Sequence, residues 1–426
     1  MIFSEELLKL AAAADRDLRP TFEKIEATVR ENTARVMESF AAHRVDAACF
    51  APSTGYGYDD RGREVLDGVF ADLMGAEAAF ARHNIVNGTH ALTIGLFGLL
   101  RPGDILLSVT GKPYDTLEET IGIGGNGAGK GSLADFGVLY RQIEMKDGKT
   151  PDGAAIAAFL SSPEGERVRV CFLQRSKGYL ARRTLSVREI GETVSLIKSV
   201  RPDVFVVVDN CYGEFCETAE PPAVGADLAI GSLIKNPGGG IAESGGYLAG
   251  TKRAVELASY RLTTPGLGLE VGATLGQNKE MFRGVFYAPH TVGEALKTAH
   301  FAAYVFASLG YAVEPAAFET RSDIIQTVTM GSPEGLCAFC RGIQKGSPVD
   351  AYVTPEPWDM PGYRDPVIMA AGTFVQGASI ELSADGPLRA PYTAFFQGGI
   401  TFESGRIGIL CAAEEVLKSC GKKTAK

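Results

Sequence analysis

The chain has 426 residues, of which 45% are hydrophobic, enough for one large domain and a smaller one. Its formal net charge is −9 without a long basic run, which argues against nucleic acid and anionic membrane surfaces as partners. We find neither a signal-peptide pattern nor an apolar run of transmembrane length. We therefore expect a soluble, cytoplasmic protein whose eight scattered cysteines stay reduced.

Apolar periodicity predicts the following elements in chain order. Residues 1–50 are expected to be mostly helical, because charged residues surround an apolar stripe. Helices then alternate with short β-branched strands, predicted at 105–109, 168–173, 205–208 and 228–230. A long helix over 291–309 leads to an α+β region with strands at 324–330 and 378–382.

These elements predict an α/β fold whose mainly parallel sheet lies between helices, because the strands are almost continuously hydrophobic. We expect an N-terminal helical segment at 1–50, a large domain at 51–290, and a smaller α+β C-terminal domain at 291–426.

A strand of the buried type ends in Asp209, within VFVVVDNCYGEF. Acidic residues at the carboxyl ends of parallel strands face the crevice in which such folds bind ligands. Taken alone, Asp209 is more simply a turn or helix-capping aspartate.

Lys235 follows the next apolar strand and precedes Asn-Pro and three glycines, so a flat or phosphorylated ligand could approach closely. An isolated lysine is usually a surface residue. The single strand between Asp209 and Lys235 favours a functional role for both.

Asn87, Gly88 and Thr89 precede an apolar helix pattern. The N–H groups at such a helix start can bind a phosphate, although an ordinary helix cap has the same pattern. Together with Asp209 and Lys235, this segment supplies what pyridoxal 5'-phosphate (PLP) requires. The phosphate needs a helix N-terminus, the pyridine nitrogen needs a carboxylate, and the aldehyde needs a lysine amine.

The motifs resemble fold-type I PLP enzymes of the cystathionine beta-lyase type and, more closely, the methionine gamma-lyase family, also labelled aluminium-resistance proteins. They span nearly the whole chain: GYGYDDRGRE, NGTHAL, GKPYDTLEE, QRSKGY, VDNCYGEF, GSLIKNPGGG, YAPHTVGEALK and GPLRAPY. Glu243 and Ser244 depart from the expected Pro-Thr after the Gly-rich turn, which bears on that loop alone.

The resemblance implies roles for several residues. One group is expected to bind the cofactor phosphate: Gly88, Thr89 and Ser232. Lys235 is implied to form the Schiff base, and Asp209 to pair with the pyridine nitrogen. Tyr114 is implied to stack on the ring, with a half-exposed turn tyrosine as the alternative. His90 is a competing stacking residue or simply part of the helix cap.

The resemblance also implies a two-fold assembly. Tyr58 and Arg61, with Tyr56 as the less favoured tyrosine, would reach the phosphate of a neighbouring subunit's cofactor. The active unit would be a homodimer, or a homotetramer of two such dimers. The alternative is a solvated loop whose charges pair locally.

Arg389 is the expected ligand of the substrate carboxylate, because a guanidinium gives bidentate recognition. Arg321 and Arg406 are alternatives, and Arg389 could also be an ordinary surface arginine. Lys177 and Tyr179 belong to a motif of the family and receive no assigned step.

The implied reaction is β- or γ-elimination from a sulfur-containing amino acid, which gives a keto acid, ammonia and a thiol. Other PLP chemistry, such as transamination or aldol cleavage, remains an alternative. So does a catalytically weak PLP-binding protein with a regulatory or stress role.

Three weaker patterns favour ordinary structure. Residues 122–132, GIGGNGAGKGS, nearly form a phosphate-binding loop, but Gly131 replaces the required Ser or Thr and a helix pattern precedes them. We expect a flexible loop near the mouth of the site. Cys337 and Cys340 lack a second ligand pair, so we expect two helix-borne thiols and no metal. His290 fits a helix start better than a metal ligand.

Overall fold

The computed structural model describes residues 3–125, 127–360 and 363–421. Its helices are α1 Glu5–Asp17, α2 Arg19–Ala42, α3 Arg61–Met74, α4 Gly88–Leu99, α5 Asp115–Ile121, α6 Gly153–Leu160, α7 Val187–Val200, α8 Lys252–Leu262, α9 Asn278–Ser308, α10 Pro333–Lys345 and α11 Phe402–Cys420. Its strands are β1 Ala78–Arg82, β2 Ile105–Ser108, β3 Leu139–Gln142, β4 Val168–Gln174, β5 Phe205–Asp209, β6 Leu228–Ser232, β7 Gly246–Gly250, β8 Ala312–Glu314, β9 Gln326–Thr329, β10 Val367–Ala370, β11 Ser383–Pro387 and β12 Thr393–Gln397.

The chain forms two compact units, each assembled from separated stretches. The large unit comprises Ala34–Leu233 and Ile241–Phe286. The small unit comprises Met1–Thr33, Ile234–Gly240 and Tyr287–Lys426. The domain borders expected near residues 50 and 290 stay predictions.

The sheet of the large unit has the strand order β1-β7-β6-β5-β4-β2-β3. Strands β6, β5, β4, β2 and β3 pair in parallel, each with the next in that order. Strand β7 pairs antiparallel with both β6 and β1. This mainly parallel sheet confirms the predicted fold class. The four strands predicted for this part of the chain correspond to β2, β4, β5 and β6.

Helices cover both faces of this sheet. Side chains alternate along a strand, so Val207 packs in one buried cluster while Val206 and Val208 pack in another. The first cluster contains residues of α4 and α8, and the second contains residues of α7. Burial on both faces explains the near-continuous hydrophobicity of β4 and β5.

The small unit contains an antiparallel sheet of order β10-β11-β12-β9-β8. The strand predicted at 378–382 is wrong, since these residues form turns and β11 begins at Ser383. The Glu381 carboxylate accepts the main-chain N–H groups of Phe374 and Val375, at 2.7 and 2.8 Å, which folds this apolar segment into a loop.

The helix predicted to begin at 291 begins at Asn278 instead and contains Pro289. His290 therefore lies inside α9, and its assignment to a helix start is wrong. Buried apolar residues lie on both sides of the proline, including Val285 and Val292, and their burial offsets the lost hydrogen bond.

Cys337 and Cys340 both lie on α10, as expected, and all eight cysteines are thiols rather than disulfides. Over the described ranges, no group of three or more His, Cys, Asp or Glu side chains is placed to hold a metal ion. Over the same residues, no helix combines the length and apolarity needed to cross a membrane.

Candidate active site

The N-terminus of α4 lies against the ends of two strands. Asn87 caps this helix by accepting the His90 N–H at 2.8 Å. A Cβ atom on Gly88 would lie 3.4 Å from Cys211 Sγ and 3.6 Å from Ser232 Cβ. The structure thus brings together the helix start, the turn after β5 and the end of β6, which are distant in sequence.

Ser232 is fully buried at the end of β6. Among the described residues, its Oγ atom has no hydrogen-bond partner. A buried polar atom without a partner costs free energy, so it indicates a ligand or water in the working protein. An anion held by the N–H groups of the α4 N-terminus would satisfy this hydroxyl.

Thr89 and Tyr114 lie side by side. Thr89 Oγ1 is 2.8 Å from the Tyr114 hydroxyl and 3.2 Å from Thr116 Oγ1. The main-chain N–H of Tyr114 donates to Gln174 Oε1 at 2.8 Å. Tyr114 is therefore held at both its main chain and its hydroxyl, unlike a loosely exposed turn tyrosine.

The His90 ring forms a hydrogen bond with the segment that precedes α4. Its Nδ1 atom accepts the main-chain N–H of Val86 at 3.1 Å. This contact fits a capping role, one of the two roles that the sequence left open for His90.

Asp209 is almost fully buried at the end of β5. Its Oδ1 atom accepts the Cys211 N–H at 3.2 Å, and its carbonyl oxygen accepts the Arg175 N–H at 3.0 Å. Asp209 is paired with Ile230 across β5 and β6. Asp209 and Ser232 therefore lie at the carboxyl ends of neighbouring parallel strands, where such folds bind ligands.

Lys235 belongs to the small unit and is half-buried. It precedes a short 3-10 turn, Asn236–Gly238, and its carbonyl oxygen accepts the Gly238 N–H at 3.2 Å. Thr291 Oγ1 donates to the carbonyl oxygen of Gly239 at 3.1 Å, which ties this turn to α9. Chain length alone keeps the Cα atoms of Ser232 and Lys235 within about 11 Å.

The three candidate arginines have different surroundings. Arg389 is exposed and pairs with Asp365 at 3.0 Å. Arg406 lies on α11 and pairs with Asp15 at 2.8 Å. Arg321 is buried and donates to neutral oxygen acceptors. An exposed ion pair contributes little stability, so little free energy would be lost if Arg389 left Asp365 for another carboxylate.

Tyr56 and Tyr58 are exposed on the surface, with their rings stacked at a centroid distance of 5.5 Å. Arg61 opens α3 and donates to Asp46 Oδ2 at 2.8 Å and to the carbonyl oxygen of Arg44 at 3.1 Å. Arg61 therefore pairs with nearby residues of its own chain, which agrees with the alternative of a solvated loop whose charges pair locally. Both tyrosines are exposed.

Arg63 anchors the tyrosine segment, a role that the sequence analysis missed. Its buried guanidinium donates to the carbonyl oxygens of Gly57 at 2.7 Å and Gly272 at 2.8 Å. Asp60 accepts the Arg63 N–H at 2.9 Å and the Thr274 hydroxyl at 2.9 Å. The run of charged residues that contains Arg63 was the sequence signal for this role. A sequence pattern does not show, however, whether an arginine is buried or exposed.

The Gly-rich loop binds a carboxylate of its own chain. The N–H groups of Gly129, Gly131 and Ser132 donate to the Asp135 carboxylate at 3.0, 2.9 and 3.0 Å. These hydrogen bonds, that of Gly129 first, hold the pKa of Asp135 below its usual value. The loop follows helix α5, as predicted, and three of its N–H donors are occupied by Asp135, which speaks against a nucleotide-binding loop.

A sequence model of the family described as methionine gamma-lyase matches residues 7–417. The chain belongs to the methionine gamma-lyase family. It is 48% identical over 415 residues to the uncharacterized protein YnbB of Bacillus subtilis (strain 168), covering 97% of both chains.

Solved structures agree with this assignment. A carbon-sulfur lyase involved in aluminum resistance from Clostridium novyi NT shares 47% identity, with 96% of each chain covered and a TM-score of 0.92. The pyridoxal-5'-phosphate dependent protein YhfS from Escherichia coli shares the fold at 15% identity and a TM-score of 0.59, over 91% of this chain and 96% of YhfS.

The predicted family and the fold-type I class are thereby confirmed. The expected enzyme class, a PLP-dependent carbon–sulfur lyase, is confirmed at the level of the family.

Proposed function

We propose that the protein uses PLP to cleave a sulfur-containing amino acid by β- or γ-elimination, releasing a keto acid, ammonia and a thiol. The observation that carries the proposal is the buried Ser232 hydroxyl, which lacks a partner among the described residues and lies beside Gly88 at the start of α4. This is the surrounding that a bound phosphate requires.

The residues present fit PLP. The phosphate would be held by the start of α4 and the end of β6, through Gly88, Thr89 and Ser232. Lys235 would bind the aldehyde carbon through its amine, Asp209 would face the ring nitrogen, and Tyr114 would lie against the ring. When bound, the cofactor supplies an electron sink for the bonds at the substrate α-carbon.

The protein's own groups would then move or hold protons. Lys235 Nζ would accept the α-proton of the substrate as the general base. The Asp209 carboxylate would hold the proton on the ring nitrogen through their opposite charges. The Cys211 N–H keeps one carboxylate oxygen of Asp209 oriented.

Arg389 would bind the substrate carboxylate after leaving Asp365. A guanidinium can donate two parallel hydrogen bonds to a carboxylate, which orients the substrate as well as binding it. The exposed ion pair with Asp365 would keep the side chain near this position before substrate arrives.

A second copy of the chain would complete the site. Tyr58 is exposed on a segment that Arg63 holds in place, and Arg61 would exchange its exposed pair with Asp46 for a phosphate. A homodimer with two-fold symmetry lets both sites gain these residues reciprocally. A homotetramer of two such dimers would leave this arrangement unchanged.

Purified protein tests the proposal directly. We expect a visible absorbance band from bound PLP, and keto acid release from one or more of cystathionine, methionine and cysteine. Borohydride reduction followed by peptide mapping should place a pyridoxyl group on Lys235.

Other results would redirect the assignment. Label on another lysine would overturn the role of Lys235. Amino-group transfer to added 2-oxo acids would indicate an aminotransferase, and a bound cofactor without turnover of any thioether or thiol amino acid would indicate a passive PLP-binding protein.

A further inference from the structure

The turn after β5, residues 210–217, is built around one buried guanidinium. Arg175 directly follows β4 and is fully buried. It donates to Asn210 Oδ1 at 2.7 Å and to Glu217 Oε1 at 2.8 Å, and its Nη1 atom lies 3.3 Å from Glu220 Oε2. One side chain therefore holds both ends of this β5 turn.

A second set of hydrogen bonds continues from the guanidinium to β7. Asn210 Nδ2 donates to Glu220 Oε2 at 2.9 Å and lies 3.1 Å from the Tyr247 hydroxyl, which donates to Glu214 Oε1 at 3.0 Å. These side chains are buried. Burial raises the pKa of Glu220, and the Arg175 charge opposes that rise.

The conformation of the β5 turn depends on these contacts rather than on local preference. Tyr212 and Phe215 have φ values of 74° and 61°, in the left-handed region that larger side chains rarely adopt. A Cβ atom on Gly213 would lie 2.5 Å from Arg175 Cδ, so the main chain is packed directly on the arginine. Without the guanidinium, both strained residues would be free to relax.

The β5 turn in turn orients Asp209. Its Cys211 N–H donates to Asp209 Oδ1 at 3.2 Å, while the Arg175 N–H donates to the Asp209 carbonyl oxygen at 3.0 Å. We propose that Arg175 is a positioning residue that acts through Asp209, because its guanidinium holds the turn that aims the Asp209 carboxylate. This inference rests on the proposed function, in which Asp209 holds the proton on the cofactor ring nitrogen.

A double-mutant cycle on the holoenzyme tests the inference. Lysine retains the charge of Arg175 but cannot donate to two separated acceptors in the same geometry. We expect Arg175→Lys to lower kcat about 10- to 100-fold with little change in KM, as a small misplacement of a catalytic group does. It should also shift the visible spectrum of the bound cofactor in the same direction as Asp209→Asn.

If Arg175 acts through Asp209, adding Arg175→Lys to Asp209→Asn should lower kcat no further. The matched control is Arg82→Lys, which alters another buried arginine, one that donates to Asp67 Oδ2 at 2.8 Å. We expect this control to leave kcat and the spectrum as in the wild type. Effects of Arg175→Lys and Asp209→Asn that multiply, or an unchanged spectrum in Arg175→Lys, would overturn the inference.

A milder variant covers the case in which Arg175→Lys does not fold. Glu217→Gln removes one charge at the exposed side of the cluster and keeps an oxygen acceptor for Arg175. It should show a smaller loss of kcat with the same lack of additivity toward Asp209→Asn, and multiplying effects would again overturn the inference. Failure of the wild type to bind PLP or release keto acid would instead overturn the proposed function.

Discussion

The hydroxyl oxygens of Thr89 and Tyr114 lie 2.8 Å apart, although the two residues are 25 positions apart in sequence. Thr89 lies in the first turn of α4, and Tyr114 immediately precedes α5. The contact joins the expected phosphate-binding residue to the expected ring-stacking residue. A substitution at either residue should therefore alter the position of the other.

Tyr114→Phe removes the hydroxyl and keeps the ring. The lost hydrogen bond should weaken PLP binding about 2- to 10-fold, since such a bond contributes about 0.5–1.5 kcal/mol. Tyr114→Ala should weaken it more, because stacking is lost as well. Titration of apoenzyme with PLP measures both, and Tyr140→Phe, which removes a hydroxyl bonded to Gln142, is the control. Equal binding by all variants would exclude Tyr114 from the site.

Ser232→Ala should separate stability from cofactor binding. The apoenzyme should lose no thermal stability, because the buried hydroxyl has no partner among the described residues. PLP affinity should fall about 10- to 100-fold, the cost of one hydrogen bond to a charged group. Ser259→Ala, which removes a hydroxyl bonded to Glu256, should leave affinity unchanged. A destabilised apoenzyme with normal affinity would argue for a purely structural serine.

Asp209→Ala should keep some cofactor through Lys235 and the phosphate contacts but lose most turnover, because the ring nitrogen would lose its opposing charge. Absorbance of the bound cofactor and keto acid release are measured on the same sample. Asp203→Ala, an exposed aspartate that pairs with Arg201, provides the comparison. Wild-type turnover in Asp209→Ala would show that this carboxylate does not pair with the pyridine nitrogen.

Arg389→Lys should raise KM about tenfold or more and leave the cofactor spectrum unchanged, since only the bidentate contact to the substrate carboxylate is lost. Asp365→Asn releases the present partner of Arg389 and should leave KM unchanged or lower it. Steady-state kinetics on both variants decide the matter. An unchanged KM in Arg389→Lys would direct attention to Arg406 and Arg321.

Mixing Lys235→Ala with Arg61→Ala tests the two-fold assembly. Each mixed dimer would regain one site in which both residues are intact, so activity should return after subunit exchange. Asp46→Ala, which removes the local partner of Arg61, should keep its activity if Arg61 acts on the neighbouring subunit. Demonstrated exchange without recovered activity would place Arg61 in its own subunit's site or outside any site.

Much of the large unit was predictable from the sequence. The strands β2, β4, β5 and β6 are buried on both faces and therefore read as continuous apolar runs. Strands such as β1, AAFAR, and β7, GYLAG, lack β-branched residues and were missed. The turn at 378–382 was taken for a strand because its apolar pattern does not reveal that Glu381 binds two main-chain N–H groups.

The sequence by itself determined the family, the fold class and the residues expected to bind PLP, because these depend on motifs along the chain. Only the tertiary structure decided that Gly88 faces Ser232, that Ser232 lacks a partner among the described residues, and that Arg175 holds the β5 turn. Such relations join segments far apart in sequence. They depend on which side chains the sheet places together and shields from water, and a one-dimensional pattern does not contain that information.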